Sequence, residues 1–108
     1  METQLEIVKQ VIKEEIEKTG LKLISLKLFG SRARGDFDQS SDWDFYAVVD
    51  EDIDYSKKLE ITSQIRRKLL DFDFSCDIVI HPISLFKEMK DDVGYLTYYV
   101  LKEGVDLL

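Results

Sequence analysis

The sequence predicts an α/β (α+β) domain in which a mixed β-sheet is flanked by helices. Three observations lead there. Segments with apolar residues at helical spacing alternate with short runs rich in β-branched and aromatic residues. Their order along the chain is helix, strand, loop, strand, helix, strand, helix, helix. The first and second strands are separated only by a loop and the second and third by a long helix, which predicts one antiparallel and one parallel pairing in the same sheet. The 108 residues, 44% of them hydrophobic, are expected to form a single domain over 1–108 with one buried core.

Each element has its own signature. From Thr3 to Lys18, Leu5, Val8, Ile12 and Ile16 recur at helical spacing with charges between them, and Gly20 marks the stop. Leu21 to Phe29 reads as a strand running into Gly30. Residues 31–41 form a turn and loop, with one short helical turn after Gly30. Asp42 to Asp50 is the strongest strand, ending in the apolar run Phe45 to Val49. Residues 55–70 place Leu59, Thr62, Ile65 and Leu69 on one helical face. CDIVIHP, residues 76–82, is a short buried strand halted by Pro82, which cannot donate to a ladder. Residues 83–103 are helical in two pieces, broken near Gly94.

Charge excludes some functions. The net charge of −7 leaves no basic footprint, so direct nucleic-acid binding is disfavoured. The single cysteine, Cys76, rules out an intrachain disulfide and suits a reducing compartment. The opening METQLEIVKQVIKEE lacks an uninterrupted apolar stretch, so neither a signal peptide nor a membrane span is expected. A cytoplasmic location follows as the expectation.

The charge is unevenly placed. Between Arg34 and Lys57 stand eight acidic residues and no Lys or Arg. A solvated acidic loop accounts for Asp50, Glu51, Asp52 and Asp54, but less well for Asp42 and Asp44. GSRARG, residues 30–35, spaces its glycines like a P-loop, but Asp36 and Phe37 follow where Lys and Ser or Thr are required. Asp36, Asp38, Ser40 and Asp42 alternate like calcium ligands, yet an EF-hand counted from Asp36 needs Gly and Glu where Ser41 and Ala47 stand. A dinucleotide fingerprint needs a third glycine.

Asp42 and Asp44 remain. Residues two apart on a strand point to the same face, so the two carboxylates stand together while Trp43 and Phe45 point into the core. Paired carboxylates repel, and a cation between them relieves the repulsion. Magnesium suits such a pair, since it binds through one or two carboxylates plus substrate phosphates. Asp77, at the start of the apolar run Ile78 to Ile80, is a candidate third carboxylate, with a strand-end or structural role equally open. Gly30 lets the backbone approach a ligand, and Ser31 opens a turn whose amides and hydroxyl suit phosphate. Arg32 and Arg34 would add positive charge there, although pairing with Asp36 or Asp38 is an equal alternative.

Gly30-Ser31, ten residues, then Asp42-Trp43-Asp44 resembles the nucleotidyltransferase motif of the DNA polymerase β superfamily. The string from GSRARG to SDWDF is similar to that of its smallest members, the minimal nucleotidyltransferases. The resemblance implies the polymerase beta-like nucleotidyltransferase fold, ATP as donor and two magnesium ions. It casts Asp42, Asp44 and Asp77 as catalytic, metal-binding carboxylates, and Gly30 and Ser31 as holders of the triphosphate, joined by Arg32 and Arg34 as candidate phosphate contacts. The chemistry implied is in-line attack of a hydroxyl on the α-phosphorus, with Asp77 as an alternative proton acceptor.

In 108 residues no room is expected for an acceptor-binding domain, so the acceptor should come from another chain. Minimal nucleotidyltransferases typically pair with a helical HEPN protein in toxin–antitoxin systems, where the transferase adds AMP to a tyrosine of the HEPN toxin. That is the favoured expectation. Two alternatives stay open: a silent antitoxin that neutralises the HEPN partner by contact alone, and transfer to a small molecule, which would need a second domain or a dimer.

Other residues carry less. His81 and Cys76 are expected to be structural. Lys57, Lys58, Arg66, Arg67 and Lys68 form a solvated helix face, from which Arg66 or Arg67 could reach a phosphate. Tyr95, Tyr98 and Tyr99 cannot all face inward, and an exposed tyrosine there suits a homodimer or a HEPN contact.

Overall fold

The computed structural model describes residues 2–108, with side chains from residue 4 onward. Its elements are α1 (Glu2–Glu17), β1 (Leu23–Phe29), α2 (Ser31–Arg34), β2 (Trp43–Val49), α3 (Tyr55–Leu70), β3 (Cys76–Pro82), α4 (Ile83–Met89), α5 (Leu96–Glu103) and β4 (Val105–Asp106). The strands form one mixed sheet in the order β3-β2-β1-β4. β1 runs antiparallel to β2 and β2 parallel to β3, as the lengths of the two connections predict. β4 was not expected. It adds Val105 and Asp106 opposite Leu28 and Lys27, and the Lys27 ammonium pairs with the Asp106 carboxylate.

Both faces of the sheet are covered. Against one face lie α1, through Val8, Ile12 and Ile16, and α3, through Ile61, Ile65 and Leu69. They meet Leu26, Leu28, Phe45, Ala47, Ile78 and Ile80. On the other face Tyr46, Val48 and Val100 pack with Phe29, Val79, Ile83 and Phe86, beneath α4 and α5. β2 is therefore apolar on both sides along most of its length, which explains its unbroken run from Phe45 to Val49. α3 begins at Asp54, whose carboxylate accepts from the Lys57 amide at 2.7 Å, a cap worth about 1 kcal/mol. One position departs from the expected face: Leu59 is 50% exposed, and Ile61, one turn ahead of Ile65, takes the core position.

The second face carries a polar cluster. The Tyr46 hydroxyl lies 2.8 Å from His81 Nδ1 and 2.7 Å from Thr97 Oγ1, tying β2, β3 and α5 together. The His81 ring meets Tyr46 edge-on, as a structural histidine should. Burial, and then the charge of Lys58, hold its pKa below the ordinary imidazole value. A depressed histidine pKa means that the unfolded chain binds protons first as pH falls. The stability His81 contributes is thus complete above the unfolded imidazole value of about 6.5 and lost as pH falls below it. Urea unfolding between neutral pH and pH 5 is expected to show this loss, and His81→Gln to flatten it.

Among the described residues no helix is long and apolar enough to cross a membrane.

Candidate active site

The polar residues singled out in the sequence gather at one end of the sheet, where β1 finishes and β2 and β3 begin. The turn after β1 depends on Gly30. Its φ of 77° and ψ of −159° lie in a region open essentially to glycine alone. A Cβ there would stand 3.2 Å from Asp44 Cγ and well inside contact with Asp44 Oδ2. The backbone that starts α2 therefore lies directly against the second carboxylate of the Asp-Trp-Asp motif. The amides of Ala33 and Arg34 donate back to Gly30 O, at 3.1 and 3.0 Å, and Gly35 closes the turn in the left-handed conformation. The first amides of such a turn have no intrahelical acceptor.

The two arginines of the turn take different surroundings. Arg32 stacks its guanidinium over Phe37 at 4.4 Å and over Trp43 at 4.5 Å. It also donates through Nε and Nη2 to Ser41 O, at 3.3 and 3.0 Å. It organises the loop between α2 and β2 and so sets the approach of Asp42. Arg34 pairs with Asp36 at 3.2 Å and with Glu103 of α5 at 3.6 Å. The expected pairing with Asp36 is thus present, and Arg34 also lies close enough to Asp44 to draw its pKa downward.

Asp42 immediately precedes β2 and Asp44 is its second residue. Asp42 Oδ1 accepts from Ser75 Oγ at 2.8 Å, while the Trp43 amide donates to Ser75 O at 3.1 Å, a double hold from the segment before β3. Trp43 and Phe45 point inward, Trp43 stacking on Phe74 with centroids 4.9 Å apart. The parallel register sets Asp77 of β3 opposite Asp44. Asp77 is well exposed, and its Oδ1 accepts from Arg66 Nη2 of α3 at 3.0 Å.

These acids feel one another. Partial burial, then the charges of Asp77 and Asp42, push the Asp44 carboxyl above its usual range, and Arg34 offsets this only in part. Beside them Cys76 is pushed up to about 11, by burial first, with Arg66 pulling the other way and the three aspartates adding to the rise. Its thiol is protonated at neutral pH and behaves as the small apolar residue expected of it.

The donor chemistry fits a divalent cation: hard oxygen ligands, clustered negative charge, and one carboxylate whose ionisation its neighbours disfavour. Among the described residues, however, no three His, Cys, Asp or Glu side chains converge as ligands to a single ion. Asp44 lies against the glycine turn, Asp42 is held by Ser75 and Asp77 is turned to Arg66. A cleft of about 450 Å³ between the end of α1 and the start of α3, lined by Lys18, Lys57 and Gln64, lies apart from these carboxylates.

Two contacts of the acids escaped the sequence. Ser75 holds Asp42 across 33 positions of chain, with no local signal. For Arg66, one of the two arginines expected to be able to reach a phosphate from a solvated face, the packing of α3 beside β3 supplies a partner the sequence did not name, Asp77.

Comparison with known proteins bears on the whole chain. Residues 9–107 match the model of the family described as "Polymerase beta, Nucleotidyltransferase". No curated protein matches the sequence. Among solved structures, a toxin–antitoxin crystallised with AMP-PNP shares the fold at TM-score 0.62 and 20% identity, covering 92% of this chain and 71% of the other. A mutant of the toxin–antitoxin MntA-HpeT does so at TM-score 0.66 and 17% identity, covering 96% and 72%. A nucleotidyltransferase described as putative, from Sulfolobus solfataricus, does so at TM-score 0.63 and 20% identity, covering 96% and 78%.

Proposed function

The chain belongs to the polymerase beta nucleotidyltransferase family, and from that premise we propose that residues 1–108 act as one minimal nucleotidyltransferase domain in the cytoplasm. It transfers AMP from ATP to a hydroxyl of a partner protein, a tyrosine of a HEPN toxin, and thereby serves as the antitoxin. The observation that carries this reading is the contact between Gly30 and Asp44. A phosphate-accepting turn and a metal-accepting carboxylate have been brought so close that only a residue without a side chain fits between them.

The parts of the site divide the work. Gly30 and Ser31 offer backbone amides and a hydroxyl to the triphosphate, and Arg34, at the far end of the turn, adds charge beside it. Arg32 keeps the loop in place through Ser41, with its guanidinium stacked between Phe37 and Trp43. Asp42, Asp44 and Asp77 would hold magnesium, two ions in the full assembly, which neutralises phosphate charge and acidifies the attacking hydroxyl. Asp77 could otherwise accept the hydroxyl proton itself. The carboxylates lie at an open sheet end, which leaves a docked partner room to present its hydroxyl. Exposed Tyr95, Leu96 and Tyr99 on and before α5 suit such a partner or a second copy of the chain.

A second reading, a contact-only antitoxin, is favoured by one observation: Asp77 is bound to Arg66 and the three acids do not converge. Calorimetric titration of ATP, with and without magnesium, separates the two. Magnesium-dependent binding that disappears in the Asp42→Ala, Asp44→Ala double variant is the result expected for the enzyme. Absence of ATP binding, both alone and with the partner present, would leave the contact-only reading.

A further inference from the structure

Arg66 is the cation set against the third carboxylate. It sits on α3 between Ile65 and Leu69 in helical register, both fully buried, so its backbone is firmly anchored while its side chain crosses to β3. Its Nη2 reaches Asp77 Oδ1 at 3.0 Å, with the two side chains 47% and 65% exposed. An ion pair that open contributes little to stability by itself. Its company makes it informative. Asp77 stands in register beside Asp44, Asp42 is two residues further along, and Asp42 is held by the neutral hydroxyl of Ser75. Of the three acids, Asp77 is the one whose carboxylate is hydrogen-bonded by a guanidinium.

We propose that Arg66 is a positioning residue: it occupies Asp77 as an internal counter-ion and competes with the divalent cation for that carboxylate. The inference rests on the nucleotidyl-transfer reading above. It accounts for two features together, the failure of the three acids to converge and the placement of an arginine at the acidic edge by a buried helix face. Removing Arg66 makes the edge one charge more negative and frees Asp77, so a divalent cation should bind more tightly. A merely structural arginine would lower stability and leave metal affinity where it was.

The test is titration of Mn²⁺ into the metal-free protein, with free ion counted by electron paramagnetic resonance. Arg66→Gln is expected to tighten Mn²⁺ binding by roughly two- to five-fold, the scale of an exposed ion pair, with the gain shrinking at high salt. Arg66→Lys should stay close to the parent protein. In an Asp77→Asn background the effect of Arg66→Gln should largely vanish, as a double-mutant cycle requires of two coupled groups. Unchanged or weaker binding in Arg66→Gln, with normal binding in the parent, would overturn the inference alone. If the parent takes up no Mn²⁺ at all, the inference is overturned, while the nucleotidyl-transfer reading is judged separately by magnesium-dependent ATP binding.

Discussion

Asp44→Asn is expected to reduce nucleotidyl transfer roughly a thousandfold while leaving the protein at least as stable as before. The first half follows from the several kcal/mol that a correctly held cation supplies to phosphoryl chemistry, at 1.36 kcal/mol per decade of rate. An amide keeps the shape of the side chain and loses its charge. The second half follows from the surroundings of Asp44. Burial and the charges of Asp77 and Asp42 raise its pKa, so the folded protein binds that proton more readily than the unfolded chain does. The associated stability is present below the unfolded carboxylate value and lost as pH rises through the folded one. At neutral pH the ionised Asp44 therefore strains the fold, and asparagine relieves it. Thermal melts at pH 7 should show a midpoint equal to or above that of the parent, and added magnesium should raise the parent's midpoint but not the variant's. A variant that lost activity through unfolding would melt early instead, and the assignment of Asp44 to the chemistry would lose its support.

Gly30→Ala should do the opposite and damage both properties. The backbone conformation at Gly30 costs a side-chain-bearing residue about 1–3 kcal/mol, and the new methyl would collide with the Asp44 carboxylate. Either the turn moves or Asp44 does. A displacement of about 1 Å in a positioned reacting group can lower rate about a hundredfold. Urea denaturation is expected to show a loss within that range, and the residual activity should not be recovered by excess magnesium. Gly35→Ala provides the control. Gly35 also has a positive φ, but open space surrounds the Cβ it would gain, so the backbone cost should appear without the catalytic one. Equal activity losses in the two variants would mean that the Gly30–Asp44 contact has no special part in the site.

Much of this was readable from the residues, for identifiable physical reasons. The 3.6-residue period of Val8, Ile12 and Ile16 and the unbroken run from Phe45 to Val49 are burial patterns, and burial dominates the choice of secondary structure. The antiparallel and parallel pairings followed from connection length. Gly30, Asp42 and Asp44 were conspicuous because their chemistry is hard to explain any other way. What was hidden depends on contacts distant in sequence. β4 is two residues long and exists only because Leu28 and Lys27 offer an edge to pair with. Leu59 obeys the helical period yet faces solvent, because α3 meets α1 and the sheet one position further round. Nothing near Asp77 or Arg66 in the chain announces that a helix and the following strand will bring them together.

The pairing of Asp44 with Asp77 also constrains how relatives of this protein can diverge in length. Extra residues between α3 and Phe74 would join an exposed turn, where doubling the loop costs only about 0.6 kcal/mol. A single residue inserted between Asp77 and Ile78 has no such refuge. If the ladder with β2 holds around the inserted residue, Asp77 moves back opposite Trp43 and its side chain turns to the other face of the sheet, away from Asp44. If the ladder slips to keep Asp77 in place, Ile78 and Ile80 turn away from the core face. Insertions and deletions should therefore accumulate in the 71–73 segment and stop abruptly at Phe74, which is buried against Trp43, and Ser75, which holds Asp42.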